Sequence, residues 1–201
     1  SVFANSAQFV MRGRNLKSRA QISRKYRYFL ALALVVLLSS AGRATVFYSQ
    51  QTAFALAFPE ATRVDSQTFI LTEEQAEEIE RAGRSELPTR LVTIHRGWKD
   101  ETLLGYAHID VHTVRTKPEA LLVVLSPDAE VTDTRVLAFH EPLEFMPSGS
   151  WYRNFIGQDR SSDLRVGFDV DAVTGATLTT WATVDSVRRM LAYYKVLLQP
   201  D

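Results

Sequence analysis

Short segments rich in β-branched and aromatic residues predict a series of β-strands in the second half of the chain. They cover residues 91–95, 103–115, 120–125 and 131–139, with a shorter one near 164–168. Turn-forming residues such as Gly97, Pro118 and the pair Pro127-Asp128 separate the first four. Strands at this spacing are typical of an antiparallel sheet with short connections.

Two segments have the periodicity of helices instead. Thr72 and Gln75 form a capping box, and the helix that follows is predicted to run to about Ala82 and to stop at Gly83. A longer amphipathic helix is predicted from about Thr180 to Leu198, with Arg188 and Arg189 away from its apolar side. That apolar side consists of Val184, Val187, Leu191, Tyr194 and Leu198. The combination predicts an α+β domain with a mostly antiparallel sheet, segregated helices and a C-terminal amphipathic helix.

Charge is distributed unevenly along the chain, although the formal net charge is zero. Eight basic residues lie within residues 1–43, and no acidic residue precedes Glu60. The rest of the chain therefore has 15 basic and 23 acidic residues. A body of this charge is a poor partner for nucleic acid, so no nucleic-acid binding is expected.

The basic N-terminus leads into an apolar run at 28–38 and small residues at 39–41. This order is typical of a secretory signal, but the run is also close to the roughly 20 residues of a membrane-spanning helix. We therefore expect residues 1–43 to be a basic leader, either a signal peptide or a single N-terminal anchor, with Met11 as a natural start. Membrane association would involve residues 26–48, and the body would lie outside the cytoplasm, in the periplasm of a two-membrane cell.

Residues 44–62 are interpreted as a stalk that leads into a domain covering 63–201. The stalk contains the apolar side chains of Phe54, Leu56 and Phe58, which either dock on the body or lie at the membrane surface. The sequence leaves both alternatives open.

The chain contains no cysteine. This excludes disulfides, a lipoprotein anchor, thiolate-bound iron–sulfur clusters and c-type haem attachment. His108 and His112 are four residues apart, but on a strand this spacing separates the side chains by about 13 Å. They cannot share one zinc ion, and no metal site is expected. A redox group in this protein would be an organic cofactor or a haem without thioether links.

The segment from Asp171 to Thr180 is the strongest candidate for chemistry. Thr174, Gly175, Ala176 and Thr177 precede the C-terminal helix, and Thr179 and Thr180 follow. Glycine permits close approach to a ligand, hydroxyls donate to phosphate oxygens, and a helix N-terminus attracts anions. Threonines also cap helices without any ligand. Spacing alone leaves both interpretations open.

The pattern formed by Asp171, Thr174, Gly175, Ala176 and Thr177 resembles the flavinylation motif of the FMN-binding domain family. This family includes subunits of ion-pumping respiratory complexes. Leu104-Gly105-Tyr106-Ala107, Glu141-Pro142 and the aromatic run beginning at Trp151 extend the likeness, which covers about residues 91–198. The resemblance implies FMN attached covalently to Thr177 by a flavin transferase that reads Asp171 and Thr174.

The resemblance further implies an extracytoplasmic electron-transfer flavoprotein with a membrane respiratory or quinone-linked donor and a partner reductase. Two alternatives stay open: an accessory module of a membrane redox complex that binds FMN loosely or not at all, and a stand-alone flavin reductase. Four residues are further candidates for contacts with the flavin: Arg115, His112, Glu141 and Trp151. Arg115 is the best of these by chemistry, because its planar guanidinium suits phosphate and ring carbonyls. For Trp151, core packing is the simpler interpretation.

Overall fold

A computed structural model describes residues 45–199 of the chain. Six strands form one sheet, and every neighbouring pair in it is antiparallel. In chain order the strands are β1 (Thr45–Val46), β2 (Arg63–Ile70), β3 (Leu91–Lys99), β4 (Thr102–Thr113), β5 (Pro118–Leu125) and β6 (Val131–Phe139). Their spatial order is β1-β6-β5-β4-β3-β2. The α+β prediction is confirmed, and β3 to β6 agree with the predicted strands.

Three α-helices cover the sheet: α1 (Gln50–Ala57), α2 (Glu73–Gly83) and α3 (Thr177–Tyr193), which continues as a π-helical turn at Tyr194–Leu198. Both α2 and α3 lie on one face, where Ile79, Ile94 and Leu121 are fully buried with Val184 and Val187 in the main core. On the other face, Ala53 of α1 and the following Phe58 form a smaller core with Leu122 and Val124 of β5. The sheet is therefore covered by apolar contacts on both faces.

The segment interpreted as a stalk joins this fold from Thr45 onwards. β1 pairs with the edge strand β6, and Ser49 caps α1 by accepting a hydrogen bond from the Thr52 N–H. Phe58 is buried, and the ring of Phe54 lies 4.3 Å from the His95 ring. Phe54 and Phe58 thus dock on the body, whereas Leu56 is largely exposed.

Several predicted boundaries differ from the structure. The capping box of Thr72 and Gln75 is present, but the left-handed residue that ends α2 is Arg84, one position after Gly83. The prediction of a strand near 164–168 is wrong. Leu164 and Gly167 both have positive φ, and the backbone N–H of Arg165 donates to the Asp169 carboxylate, so this segment turns instead.

The C-terminal helix is confirmed but begins at Thr177, three residues before its predicted start at Thr180. Leader and anchor predictions for residues 1–43 fall outside the described residues, as does most of the segment 26–48. Among residues 45–199, no helix has the length and apolar character needed to cross a membrane.

Candidate functional site

Thr177 is the first residue of α3, and its side chain is exposed. Within residues 45–199 its hydroxyl makes a single long contact, of 3.5 Å to the Val173 carbonyl. Ala176 holds the N-cap position, where no side chain caps the helix. Since the first N–H groups of a helix have no partner within it, this end is a ready anion site. The capping interpretation of the threonines is therefore not what the structure shows.

Gly175 brings the chain into the helix with a φ of +86°, the left-handed region that favours glycine. A side chain at this position would meet nothing within 4 Å. Glycine is thus required here by backbone conformation rather than by lack of space. Ala176 is buried behind it, whereas Asp171, Thr174 and Thr177 face solvent.

A cleft of about 200 Å³ opens beside Thr177. Arg115, from the β4–β5 connection, and Phe145 form one side, and the motif with the first turn of α3 forms the other. The Arg115 guanidinium stacks over the Phe145 ring at 4.2 Å from its centre. A cation on a planar support across from an exposed hydroxyl and a helix N-terminus suits a phosphate group.

Two of the predicted threonines use their hydroxyls for hydrogen bonds to backbone carbonyls, one of them to another segment and one within the helix. Thr179 donates to the Phe145 carbonyl at 2.5 Å, and Thr180 donates to the Ala176 carbonyl at 3.1 Å. Both side chains are buried. The Thr179 bond fixes the distance between α3 and the segment that carries Phe145, and therefore the width of the cleft.

Trp151 lies in the core and is hydrogen-bonded to the backbone of the motif. Its indole N–H donates to the Asp171 carbonyl at 2.8 Å, and its ring meets Tyr152 and Phe155 edge to face. The core interpretation of this residue agrees with the structure. Its contact is with the backbone at the first position of the motif, and it does not line the cleft beside Thr177.

Glu141 accepts hydrogen bonds at one carboxylate oxygen from the backbone N–H groups of Thr116 and Lys117, at 2.7 and 2.8 Å. The bond from the Thr116 N–H is the main cause that holds the pKa of Glu141 below its usual range. Glu141 thus stabilises the β4–β5 turn, which also contains Arg115. This oxygen thereby holds the backbone next to Arg115 in place.

His112 lies beneath α3 with both ring nitrogens engaged. They lie 3.0 Å from an Asp110 oxygen and 3.1 Å from a Glu119 oxygen. Burial would lower the pKa of His112, but the hydrogen bonds to Asp110 and Glu119 outweigh burial and raise it to about 9. The ring is therefore a buried imidazolium between two carboxylates, away from the lining of the cleft.

Arg189 completes this buried cluster, although the sequence placed it away from the packed side of the helix. That expectation is wrong: Arg189 is buried and donates to Asp110 at 2.5 Å. Ser186 donates to the same carboxylate oxygen. Burial would raise the pKa of Asp110, but the bond from His112 and the charge of Arg189 hold it well below its usual range. The cluster ties β4 and β5 to α3.

Sequence reasoning missed Phe145 and Arg189. Phe145 offered no signal beyond its place between Glu141 and Trp151. For Arg189 a signal existed: Asp110 lies on the same strand face as Tyr106, His108 and His112, and a buried carboxylate needs a cationic partner.

Residues 117–192 match the family model of the FMN-binding domain. The matched region runs from the start of β5 almost to the end of α3 and includes the complete motif from Asp171 to Thr177. The match agrees with the resemblance to the FMN-binding domain family that the sequence shows, and it confirms that resemblance over these residues. Arg115 and His112 lie just before the matched region. The chain matches no curated protein.

The family match supports FMN as the cofactor, and the residues at the motif fit it. An anionic phosphate suits the N-terminus of α3 and Arg115, and the open backbone at Gly175 allows close approach. The exposed apolar side chain of Leu178 beside the cleft suits a planar ring, whereas the Phe145 ring carries the Arg115 guanidinium. A flavin-binding role in electron transfer is the function that this match indicates.

Proposed function

We propose that this protein is an extracytoplasmic electron carrier whose FMN is joined through its phosphate to the Thr177 oxygen. Electrons would come from a membrane respiratory or quinone-linked donor and pass to a partner reductase. A flavin transferase would form the phosphoester bond. The bound FMN would supply the redox chemistry, and the protein would supply binding, orientation and electrostatics.

The observation that carries this proposal is the position of Thr177. Its exposed hydroxyl lies at the first residue of α3, directly after the left-handed Gly175. An acceptor at this place puts its phosphate against unpaired N–H groups and the positive end of the helix. Thr174, also exposed, lies three residues earlier and outside the helix.

Arg115 and the residues behind it would hold the phosphate side of the cofactor. Glu141 fixes the backbone at Thr116 and Lys117, and Phe145 supports the guanidinium of Arg115. Thr179 keeps Phe145 against the helix. These contacts within the protein fix the position of Arg115, which favours binding because less reorganisation is needed.

The extracytoplasmic location rests on sequence. A basic N-terminus before an apolar run, with an acidic body after it, is the arrangement of an exported or anchored protein. A covalent bond would keep FMN from being lost outside the cytoplasm, where it is not resupplied. The lack of cysteine is consistent with an organic redox group such as a flavin.

Mass spectrometry of the motif peptide tests the covalent bond. The full chain, produced together with an active flavin transferase, should carry FMN on the peptide that contains Thr177 and keep its yellow colour after denaturation. Thr177→Val removes the hydroxyl at nearly constant shape and should abolish the adduct. Thr177→Ser keeps a hydroxyl and should retain part of it.

Thr102→Val serves as the matched control, since Thr102 is also exposed but lies at the start of β4. It should leave the adduct at the wild-type level. An undiminished adduct in Thr177→Val, or no adduct in the wild-type protein despite an active transferase, would overturn the covalent proposal. Reversible FMN binding in that second case would favour the accessory module, and turnover of a small substrate without a protein partner would favour the reductase.

A further inference from the structure

α3 exposes two large apolar side chains beside Thr177. Leu178 is 51% exposed and Trp181 is 46% exposed, whereas most of the helix from Thr183 onward is buried. Leu178 borders the cleft, but Trp181 lies outside it. Exposed apolar side chains that adjoin a polar site are typical of a ligand-binding surface, and these two adjoin the exposed hydroxyl of Thr177.

Trp181 and Thr177 are on the same side of the helix. At 100° and 1.5 Å per residue, Trp181 lies about 40° around the axis and about 6 Å along it from Thr177. Side chains on a helix lean toward its N-terminus, so Trp181 leans toward the attachment end. At 100° per residue Leu178 lies beyond Trp181 around the axis, so the three exposed residues occupy one sector of the helix surface.

We propose that Trp181 packs against the isoalloxazine ring of FMN held at Thr177, as a positioning residue that covers one face of the ring. This inference rests on the proposed attachment at Thr177. A planar aromatic ring tethered at an exposed position gains by offset stacking on an indole, and stacking removes apolar surface of both groups from water.

The other two tryptophans are placed differently. Trp151 is buried, and its N–H is bound to the Asp171 carbonyl. Trp98 lies on β3, and its N–H donates to Asp65 at 2.9 Å. Among the three, only Trp181 combines exposure with the face of α3 that carries Thr177.

Flavin fluorescence tests this placement, because an indole in contact with a flavin ring quenches its emission. The protein used is the full chain carrying covalent FMN, and the adduct on Thr177 is first quantified by mass spectrometry for each variant. Emission yield and lifetime are then compared in the folded state for wild type, Trp181→Leu, Trp181→Tyr and Trp98→Phe.

Trp181→Leu should raise the emission yield several-fold and lengthen the lifetime. Trp181→Tyr, which keeps an electron-rich ring, should stay near wild type, and Trp98→Phe should change nothing. Equal emission of wild type and Trp181→Leu at equal adduct levels would overturn the role of Trp181 and leave the attachment intact. An equal rise in Trp98→Phe would also overturn it. Absence of the adduct in wild type would instead refute the proposed function, and this inference with it.

Discussion

The indole N–H of Trp151 donates a hydrogen bond of 2.8 Å to the carbonyl oxygen of Asp171. This bond joins the core of the domain to the first residue of the motif. The rest of the motif lies mostly at the surface, since Asp171, Thr174, Gly175 and Thr177 are all exposed. The bond therefore acts together with Val173, which packs against the core, and the buried Ala176 to hold this largely exposed segment in place.

Trp151→Phe should loosen the motif while keeping an aromatic ring in the core. We expect a loss of about 1–3 kcal/mol in the free energy of unfolding, because the hydrogen bond to the Asp171 carbonyl is lost and the smaller ring leaves space in the core. We also expect a smaller fraction of FMN-loaded protein. Urea unfolding and adduct mass measure the two effects. Trp98→Phe is the control, because the Trp98 indole N–H also donates a hydrogen bond, to Asp65 at 2.9 Å, but lies on β3. It should leave the FMN-loaded fraction unchanged. An equal drop in FMN loading in both variants would contradict this role of Trp151.

Gly175→Ala should destabilise the protein through backbone strain alone. With φ at +86° and free space around the position, we expect a loss of about 1–2 kcal/mol in unfolding free energy. Gly149→Ala is matched to it, since Gly149 also has free space but no positive φ. That control should change stability by less than about 0.5 kcal/mol. Urea unfolding of the two variants should thus separate the cost of backbone strain from the cost of adding a methyl group.

Stability should depend on pH through His112. Its pKa is raised to about 9 in the folded protein from an ordinary value of 6.5. The stabilisation is therefore complete below pH 6.5 and is lost as the pH rises through 9, by an amount on the order of 3 kcal/mol. Urea unfolding between pH 6 and pH 10 measures this loss.

NMR titration of the histidine rings gives an internal control for this prediction. Burial, with the nearby His108, lowers the pKa of His95, so its ring should titrate below 6.5 while that of His112 titrates near 9. Asp110 acts in the opposite direction. Its pKa is depressed, so its stabilisation is present above about pH 4 and is lost as the pH falls further. A flat stability profile from pH 6 to pH 10 would contradict the assignment.

Arg189→Met should be among the most damaging single changes. The change removes the cation of Arg189 from the buried carboxylate of Asp110. Removing one partner of a buried ion pair costs about 3–5 kcal/mol in the free energy of unfolding. Arg135→Met is the matched control, because Arg135 and Asp133 pair at 2.8 Å but remain partly exposed, at 32% and 25%. That change should cost about 1 kcal/mol or less. Chemical unfolding compares them, and similar costs would show that burial does not strengthen the pair of Arg189 and Asp110.

The central strands and the motif were readable from sequence because their signals are local. The segment 131–139 was predicted with the bounds that the structure has, since alternating residues and flanking turns mark it. β2 gave a weaker signal. It is an edge strand whose residues are mostly exposed, so polar and charged side chains hide its pattern.

Other features depend on contacts or backbone angles that no local pattern encodes. Leu164 adopts a positive φ, which leucine rarely takes and which the sequence does not signal. The sequence therefore predicted a strand where the chain turns. The partner of Arg189 lies 79 residues away in the chain. At Thr177, threonine's preference for caps suggested a helix that begins later, whereas Ala176 takes the cap position.

The backbone at Gly175 is left-handed, and an added Cβ atom would have free space. The chirality of the residue at this position, rather than the size of its side chain, therefore decides whether it fits. A residue of mirror-image configuration would place its methyl group on the side that a positive φ leaves free. Protein made by chemical ligation with D-alanine at position 175 should therefore fold at least as stably as wild type, although L-alanine at the same position does not.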